Sequence, residues 1–295
     1  MHIRLDSRHC RLSTACMPDL IAWFSRPDGS PTIHHIRELS PEQFGEFSKH
    51  KSEYALLNQR CSLLHILELN FSSLIEYADT LCTSAQSDPL EGLQLNRHFM
   101  NYLASSYALR EHLETSIVRD RGRNSEAVMK FRKFLALLEE RHFSYAFFQD
   151  FRNYVQHCGF PIGRITRSLH AQGVKLLKVV HDKNELLRRY NRWDKCHLKE
   201  RPSSTIDLLA TARAHQKIMV AEFPSVILAE YGSNINNIAS YFDNLNREAK
   251  QINPNAVAKV VLSFERHQDG GKFTLDDIPL NPFAQLGFVK PNEMS

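Results

Sequence analysis

Apolar side chains recur at steps of three, four and seven residues between about Pro41 and Cys158, and this spacing constrains the fold most. Such a repeat places apolar side chains on one face of an α-helix. Glycine (11) and proline (12) are scarce among the 295 residues, which favours long helices over turn-rich β structure. We therefore predict a mainly α protein. The clearest apolar stripes are Leu56, Leu63, Leu67, Leu74, Tyr77 and Leu81, and then Leu95, Phe99, Leu103, Leu113 and Ile117.

Capping and breaking residues divide this stretch into four predicted helices. Ser40-Pro41 is typical of a helix start, with serine as the N-cap and proline at the first helical position. Beyond the stretch, helices are predicted at Lys183–Lys199 and at Thr205–Ile252, the second with a break near Pro224 or Gly232. The other boundaries are predicted at Ser87-Asp88-Pro89 (a break), Ser125 and Ser144 (helix starts), and Gly159 with Pro161 (a stop).

Small β-hairpins are predicted on both sides of the helical stretch. Apolar runs flank Pro27-Asp28-Gly29 near the N-terminus, which is typical of a hairpin. Arg164–Val180, with a turn at Gln172-Gly173, and the residues around Asp269-Gly270-Gly271 predict hairpins in the C-terminal half. We expect three segments: a hairpin segment at 1–38, a helical core at 39–163, and a C-terminal helical region with short hairpins at 164–295.

Charge and motif content exclude several classes of function. The formal net charge is only +4, which is far below that of a histone-like electrostatic binder. The six cysteines form no CxxC pair and the chain contains no GxGxxG, P-loop, HExxH or GxSxG motif. Dinucleotide, NTP, zincin and α/β-hydrolase chemistry are therefore unsupported. The pairs His34-His35 and His9-Cys10 have no second pair of ligand residues at the spacing of a known metal site. We therefore expect neither a metal nor another cofactor.

The cysteine pattern and hydropathy favour a cytoplasmic protein. Scattered cysteines are typical of a reducing compartment, and the first 20 residues contain no apolar signal region. One of the longest stretches without a charge or histidine, Phe99–Leu109, has 11 residues, whereas a membrane span needs about 20. We expect no membrane contact.

The strongest candidate site lies at the predicted end of the fourth helix, in the sequence FRNYVQHCGFP. Four Arg–x4–His pairs occur in the chain, and only Arg152–His157 has asparagine directly after the arginine. At about 100° per residue, Asn153 and His157 share a helix face, whereas Arg152 and His157 point about 140° apart. Either the arginine stem bends, or a second copy of the helix faces the first across a two-fold axis.

These residue types suit RNA cleavage without a metal. Histidine can take a proton from the 2′-hydroxyl or give one to the 5′-oxygen near neutral pH. A guanidinium can hold the negative charge of the phosphoryl oxygens, and asparagine can orient the imidazole or hold a phosphate oxygen. The alternative is purely structural: Arg152 pairs with Asp150 or Glu140, and His157 is a charge at a helix C-terminus.

The segment SYAFFQDFRNYVQHCGFPI resembles the motif region of HEPN-domain proteins, in which histidine follows arginine by four to six positions. LQLNRHFMNYLASSYALREHLE, residues 93–114, resembles the long helix that precedes the motif, so the resemblance covers roughly residues 50–160. It implies a HEPN-like antiparallel helical bundle, a homodimer through the motif helices, and a metal-independent endoribonuclease with Arg152 and His157 as active residues. Many such proteins are toxins or act in phage defence, which implies an antitoxin partner. Others only bind RNA, a nucleotide or a protein.

Four further residues are candidates for substrate binding. Asn101 lies inside a predicted helix, where asparagine is unfavoured, so a role at the cleft competes with simple exposure. Tyr154 has the ring needed to stack a base, but its helical spacing from neighbouring aromatics also suits the core; the same holds for Tyr145. Arg121 and Arg123 lie in a basic loop that could guide RNA phosphates, or that is simply solvated.

Overall fold

The computed structural model describes residues 4–5, 18–83, 89–169, 175–267 and 270–279. The protein is mainly helical, with small sheets at the N-terminus and in the C-terminal half, as the sequence predicts. The helices within the described residues are α1 (Pro41–Thr83), α2 (Glu91–Arg121), α3 (Glu126–Arg141), α4 (Phe143–His157), α5 (Lys183–Arg189), α6 (Leu208–Tyr231) and α7 (Ile235–Ile252). The strands are β1 (Arg4–Leu5), β2 (Asp19–Ser25), β3 (Pro31–Glu38), β4 (Arg164–Leu169), β5 (Lys175–Asp182), β6 (Thr205–Asp207), β7 (Val257–His267) and β8 (Gly270–Asp277).

Local capping chemistry explains why several helices begin where the sequence predicts. The Ser40 hydroxyl accepts from the Gln43 N–H at 3.2 Å, and the Gln43 side-chain oxygen accepts from the Ser40 N–H at 3.1 Å, which forms a capping box. The Ser125 hydroxyl accepts from the Val128 N–H at the start of α3. Each cap satisfies N–H groups that have no partner within the helix.

Three boundary predictions are wrong. α4 begins at Phe143, and Ser144 is buried in its first turn rather than capping it. α5 ends at Arg189, ten residues before the predicted Lys199, because the Trp193 indole donates to the carbonyl oxygens of Leu186 and Tyr190 at its end. β6 occupies the first residues of the predicted Thr205–Ile252 helix, so α6 begins only at Leu208. The predicted break is confirmed at the second of its two positions: α6 continues through Pro224 and the break falls at Gly232–Asn234. The predicted turns at Ser87-Asp88 and Gln172-Gly173, and Asp269 of the last hairpin, lie outside the described residues.

Contacts group the chain into two compact units. The sheet unit comprises Met1–Gln59 and Tyr231–Ser295, and the helical unit comprises Arg60–Glu230. The predicted segments 1–38, 39–163 and 164–295 are each continuous in sequence, whereas the sheet unit joins residues from both ends of the chain. The three segments stay a prediction. Within the described residues, no helix combines the length and apolar character that a membrane crossing requires.

In the sheet unit, the predicted N-terminal hairpin forms from β2 and β3. Gly29 adopts φ 78° in its turn, and its N–H donates to the Arg26 carbonyl at 2.9 Å. The strand order is β1-β3-β2-β7-β8, in which only β1 and β3 pair in parallel. α7 packs on this sheet through β2 and β7.

In the helical unit, α2 and α4 pack side by side in antiparallel directions. Arg110, late in α2, contacts Gln149, whereas Asn96, early in α2, bonds Ile162 beyond the end of α4. Aromatic side chains fill the space between the helices, and several of them are fully buried. These are Phe99, Tyr102, Tyr145, Phe147, Phe151, Tyr154 and Phe223. A second sheet, in the order β4-β5-β6, lies in the same unit.

Candidate functional site

α4 presents the predicted motif on its less buried side. Phe147, Phe148, Phe151 and Tyr154 are buried and fix the rotation of the helix by packing. Arg152 and Asn153 are therefore half-buried, and His157, the last helical residue, is exposed. The helix thus delivers all three polar side chains to its outer side.

Arg152 is held by two neighbours. Its guanidinium carbon lies 3.7 Å from the centroid of the Tyr107 ring on α2, a cation–π contact. Its Nη1 donates to Asn153 Oδ1 at 3.2 Å. Asp150 instead accepts from the backbone N–H groups of Lys195 and Cys196, at 3.0 and 3.2 Å. Arg152 and Asp150 therefore bond to other partners, and the ion pair between them that the structural alternative requires is not formed.

A second guanidinium contacts the same tyrosine. The Arg110 guanidinium carbon lies 4.8 Å from the Tyr107 centroid, and Arg110 donates to Gln149 Oε1 at 2.5 Å and to Glu111 Oε1 at 2.6 Å. We name Tyr107, Arg110, Gln149, Arg152 and Asn153 the guanidinium cluster. Sequence reasoning missed Tyr107, Arg110 and Gln149. Tyr107 and Arg110 lie three residues apart within the segment that resembles the pre-motif helix, but this spacing does not place them or Gln149 beside Arg152.

One chain does not bring Arg152 and His157 to a common point by helix geometry alone. They are separated by five residues, or about 7.5 Å along the axis, and by about 140° around it. The guanidinium of Arg152 is engaged with α2, whereas the imidazole of His157 faces solvent. The cluster therefore offers a preoriented cation, and an exposed imidazole lies about 1.4 turns further along the helix.

Tyr154 is not available to stack a base, which corrects the prediction. Its side chain is 1% exposed, and its ring stacks on Phe151 with centroids 5.7 Å apart. Its hydroxyl lies 3.4 Å from His181 Nε2. Burial lowers the pKa of His181, which keeps the imidazole neutral beside the phenol. Tyr145 is likewise fully buried. Both rings belong to the support beneath the motif.

Asparagine side chains on α2 have different roles from the one predicted. Asn101 is exposed, which leaves its predicted role in substrate binding without a contact to support it. Asn96 is the residue that reaches the end of the motif: its Oδ1 accepts from the Ile162 N–H at 3.0 Å, and its Nδ2 donates to the Gly92 carbonyl at 2.8 Å. Asn96 therefore fixes the chain just after α4.

Arg121 and Arg123 do not belong to the same site within one chain. Arg121 ends α2 and both side chains are exposed. Arg121 lies 14 residues beyond Tyr107, about 21 Å along the helix axis. Because α2 and α4 are antiparallel, this end of α2 points away from His157. A role for these arginines in guiding RNA would act at a distance from the motif.

The histidine, cysteine and acidic side chains of the described residues are the candidates for metal ligands. No cluster of three histidine, cysteine or acidic side chains suited to a metal occurs in that part of the chain. His35 Nε2 lies 3.2 Å from Asp19 Oδ1. This histidine therefore has a protein partner in an ion pair or hydrogen bond. His9, Cys10 and Cys16 lie outside the described residues.

The chain matches no protein-family model, and comparison with curated proteins and with solved structures finds no significant similarity.

Proposed function

We propose that this protein is a metal-independent endoribonuclease of the HEPN type that acts as a homodimer. The observation that carries the proposal is the preorganised Arg152: its guanidinium is bonded to Asn153 and stacked on Tyr107, five residues before the exposed His157. Phosphoryl transfer between RNA oxygens requires a fixed cation and an accessible imidazole in one cleft.

In the proposed reaction, the 2′-oxygen of the ribose bonds to phosphorus and the bond from phosphorus to the 5′-oxygen breaks. One imidazole takes the proton of the 2′-hydroxyl, and one gives a proton to the departing 5′-oxygen. Arg152 stabilises the charge on the phosphoryl oxygens. Asn153 positions Arg152 through the hydrogen bond between them. The products are a 2′,3′-cyclic phosphate and a 5′-hydroxyl.

The homodimer supplies the convergence that one helix lacks. Two copies of α4 facing each other across a two-fold axis would collect both Arg152 and both His157 side chains in one cleft. Exposed apolar side chains lie in the two segments that the Asn96–Ile162 bond joins: Leu93 is 59% exposed and Phe160 is 63% exposed. Burial of such side chains favours association of two copies.

The cell context that accompanies this function is a cytoplasmic toxin or phage-defence effector, with RNA as the substrate and a neutralising antitoxin protein as a partner. This context rests on the resemblance of residues 50–160 to HEPN proteins. The scattered cysteines of the chain suit a reducing compartment.

Cleavage of a generic RNA in EDTA tests the proposal. Wild type should release fragments that end in 2′,3′-cyclic phosphate, and His157→Ala should abolish release. Arg152→Lys keeps the charge but loses the planar fork, so it should reduce the rate strongly. His112→Ala changes another exposed histidine, on α2, and should cleave like wild type.

Two results would reject the ribonuclease. Cleavage by His157→Ala at the wild-type rate would reject the assigned histidine. RNA that binds at the motif but stays intact would instead identify a non-catalytic HEPN-like module for RNA, nucleotide or protein. The engagement of Arg152 with Tyr107 and Asn153 also favours this second function, because a guanidinium held in place can bind a phosphate without cleavage of the chain.

A further inference from the structure

A cavity of about 710 Å³ lies within the helical unit at the opposite end of α4 from the motif. Phe143 at its rim is 14 residues from His157, about 21 Å along the helix. Its volume is in the range typical of small-molecule sites. Its lining comes from the α3–α4 junction, the segment before β6, and the first turns of α6. It includes Arg141, Phe143, Arg201, Pro202, Ile206, Asp207, Ala210, Ala214, Lys217 and Ile218.

The charged side chains of the cavity favour an anion. Arg141, Arg201 and Lys217 are cationic, and Asp207 is the one carboxylate among the lining residues. Asp207 Oδ1 already accepts from the Ala210 N–H at 3.0 Å, as the cap of α6. The carboxylate of Asp207 thus interacts with the N-terminus of α6, which offsets part of its negative charge. His142 also lines the cavity.

The cavity also contains a flat aromatic platform. The Arg201 guanidinium carbon lies 4.0 Å from the centroid of the Phe143 ring. Phe143 in turn contacts Phe147 of the core, with centroids 5.5 Å apart. The ring is therefore anchored from below, and the planar guanidinium rests on it. A guanidinium face held in this way can stack on a nucleobase.

Apolar side chains complete the wall beside this platform. Pro202, Ile206, Ala214 and Ile218 line the cavity, and they can cover the face of a ring but not a phosphate. The site therefore joins a cationic part to a flat, apolar part. The first turn of α4 adds backbone N–H groups without a side-chain cap, and such groups favour negative charge.

We propose that this cavity binds a nucleoside phosphate. The base stacks on the Arg201–Phe143 platform, and the phosphates lie against Arg141 and Lys217. The same chemistry is offered by a free nucleotide and by one nucleotide of an RNA strand, and we assign the site to the free nucleotide. This proposal does not depend on ribonuclease activity, because it uses no residue of the guanidinium cluster and not His157.

Titration calorimetry of the full chain with ADP, in EDTA and low salt, tests the proposal. Lys217→Glu and Arg201→Ala should each weaken ADP binding at least tenfold. Lys133→Glu reverses an exposed lysine on α3 that does not line the cavity, and it should bind ADP like wild type. Adenosine and inorganic phosphate should each bind much more weakly than ADP, since each fills one half of the site.

Competition with an eight-residue oligoadenylate separates the two sources of the nucleotide. Displacement of ADP only at high oligonucleotide concentration supports a free nucleotide, whereas tight displacement overturns that assignment in favour of an RNA strand. Absence of ADP binding overturns the site. Equal affinity in wild type, Lys217→Glu and Arg201→Ala also overturns it, and circular dichroism confirms that each variant is folded.

Discussion

Tyr107 shows how one side chain can organise two cations. Arg110 and Arg152 come from different helices, and both guanidinium carbons lie within 5 Å of its ring centroid, at 4.8 and 3.7 Å. Two like charges this close repel each other, but the ring face attracts both. Gln149 and Asn153 accept from one guanidinium each. The Glu111 carboxylate pairs with Arg110 at 2.6 Å, whereas the neutral amide oxygen of Asn153 leaves the charge of Arg152 in place for an anionic substrate.

His215 shows the opposite use of a polar side chain, as a neutral part of the core. It is fully buried on α6, and its Nδ1 lies 2.6 Å from the Tyr102 hydroxyl. Its Nε2 lies 3.5 Å from the Ser106 hydroxyl, and its ring stacks on Tyr145. Burial lowers the pKa of His215 to about 3, from an ordinary value of 6.5. The imidazole therefore stays neutral in the folded protein.

This shift predicts a pH dependence of stability. Between pH 6.5 and about 3, the unfolded chain binds a proton at His215 that the folded chain does not. Stability is therefore full above pH 6.5 and falls with acid by up to about 1.4 kcal/mol per pH unit from this group alone. Urea unfolding at several pH values should show a shallower dependence for His215→Gln. Parallel curves for the two proteins would contradict the prediction. His181 has the same sign of shift and is present in both proteins.

At the scale of elements, the end of α4 depends on α2. The Ile162 N–H follows the helix and finds its acceptor in Asn96 rather than in the backbone. Gly159 lies between the end of α4 and Ile162. A Cβ atom at position 159 would stand 2.8 Å from the Tyr154 hydroxyl. The exit from α4 is thus fixed by one side-chain bond and one close approach, and both lie within six residues of His157.

Asn96→Ala should therefore destabilise the helical unit locally. The half-buried Ile162 N–H loses its acceptor, which costs about 1–2 kcal/mol. Asn101→Ala makes the same change at an exposed position of the same helix and should alter stability by less than about 0.5 kcal/mol. Unfolding in urea measures both, and amide exchange should accelerate around residues 158–163 in Asn96→Ala only. Equal losses of stability in the two variants would show that the hydrogen bond from Ile162 to Asn96 does not stabilise the helical unit.

The sequence predicts those elements whose causes are local. The capping box at Ser40, the N-cap at Ser125 and the turn at Gly29 act within three or four residues, and these features form where expected. The end of α5 is also local, since Trp193 bonds carbonyls three and seven residues back, but tryptophan is not a usual signal for a helix end. The pairing of β2 with β7 joins residues more than 200 positions apart. At the candidate site, the spacing of Arg152, Asn153 and His157 could be found. Tyr107 could not, because only the packing of α2 on α4 makes it a neighbour of Arg152.

For the whole molecule, the proposed function requires two chains at one site. Within one chain, Arg152 and His157 point about 140° apart, and Arg152 is turned toward α2. A cleft between two copies of α4 would remove this mismatch, because the arginine of one chain can face the histidine of the other. The proposed dimer thus predicts that Arg152 and His157 of one cleft come from different chains. This prediction can be tested separately from cleavage itself.

Mixing two inactive variants makes this test. Arg152→Ala and His157→Ala should each be inactive alone. After subunit exchange, about half of the dimers contain one chain of each kind, and each such cleft has one Arg152 and one His157. Cleavage should return in part, below the wild-type rate because one imidazole is missing. Arg152→Ala mixed with the double variant gives dimers without Arg152 and should stay inactive. If light scattering shows mixed dimers and the first mixture also stays inactive, the prediction that one arginine and one histidine from opposite chains suffice for cleavage is wrong.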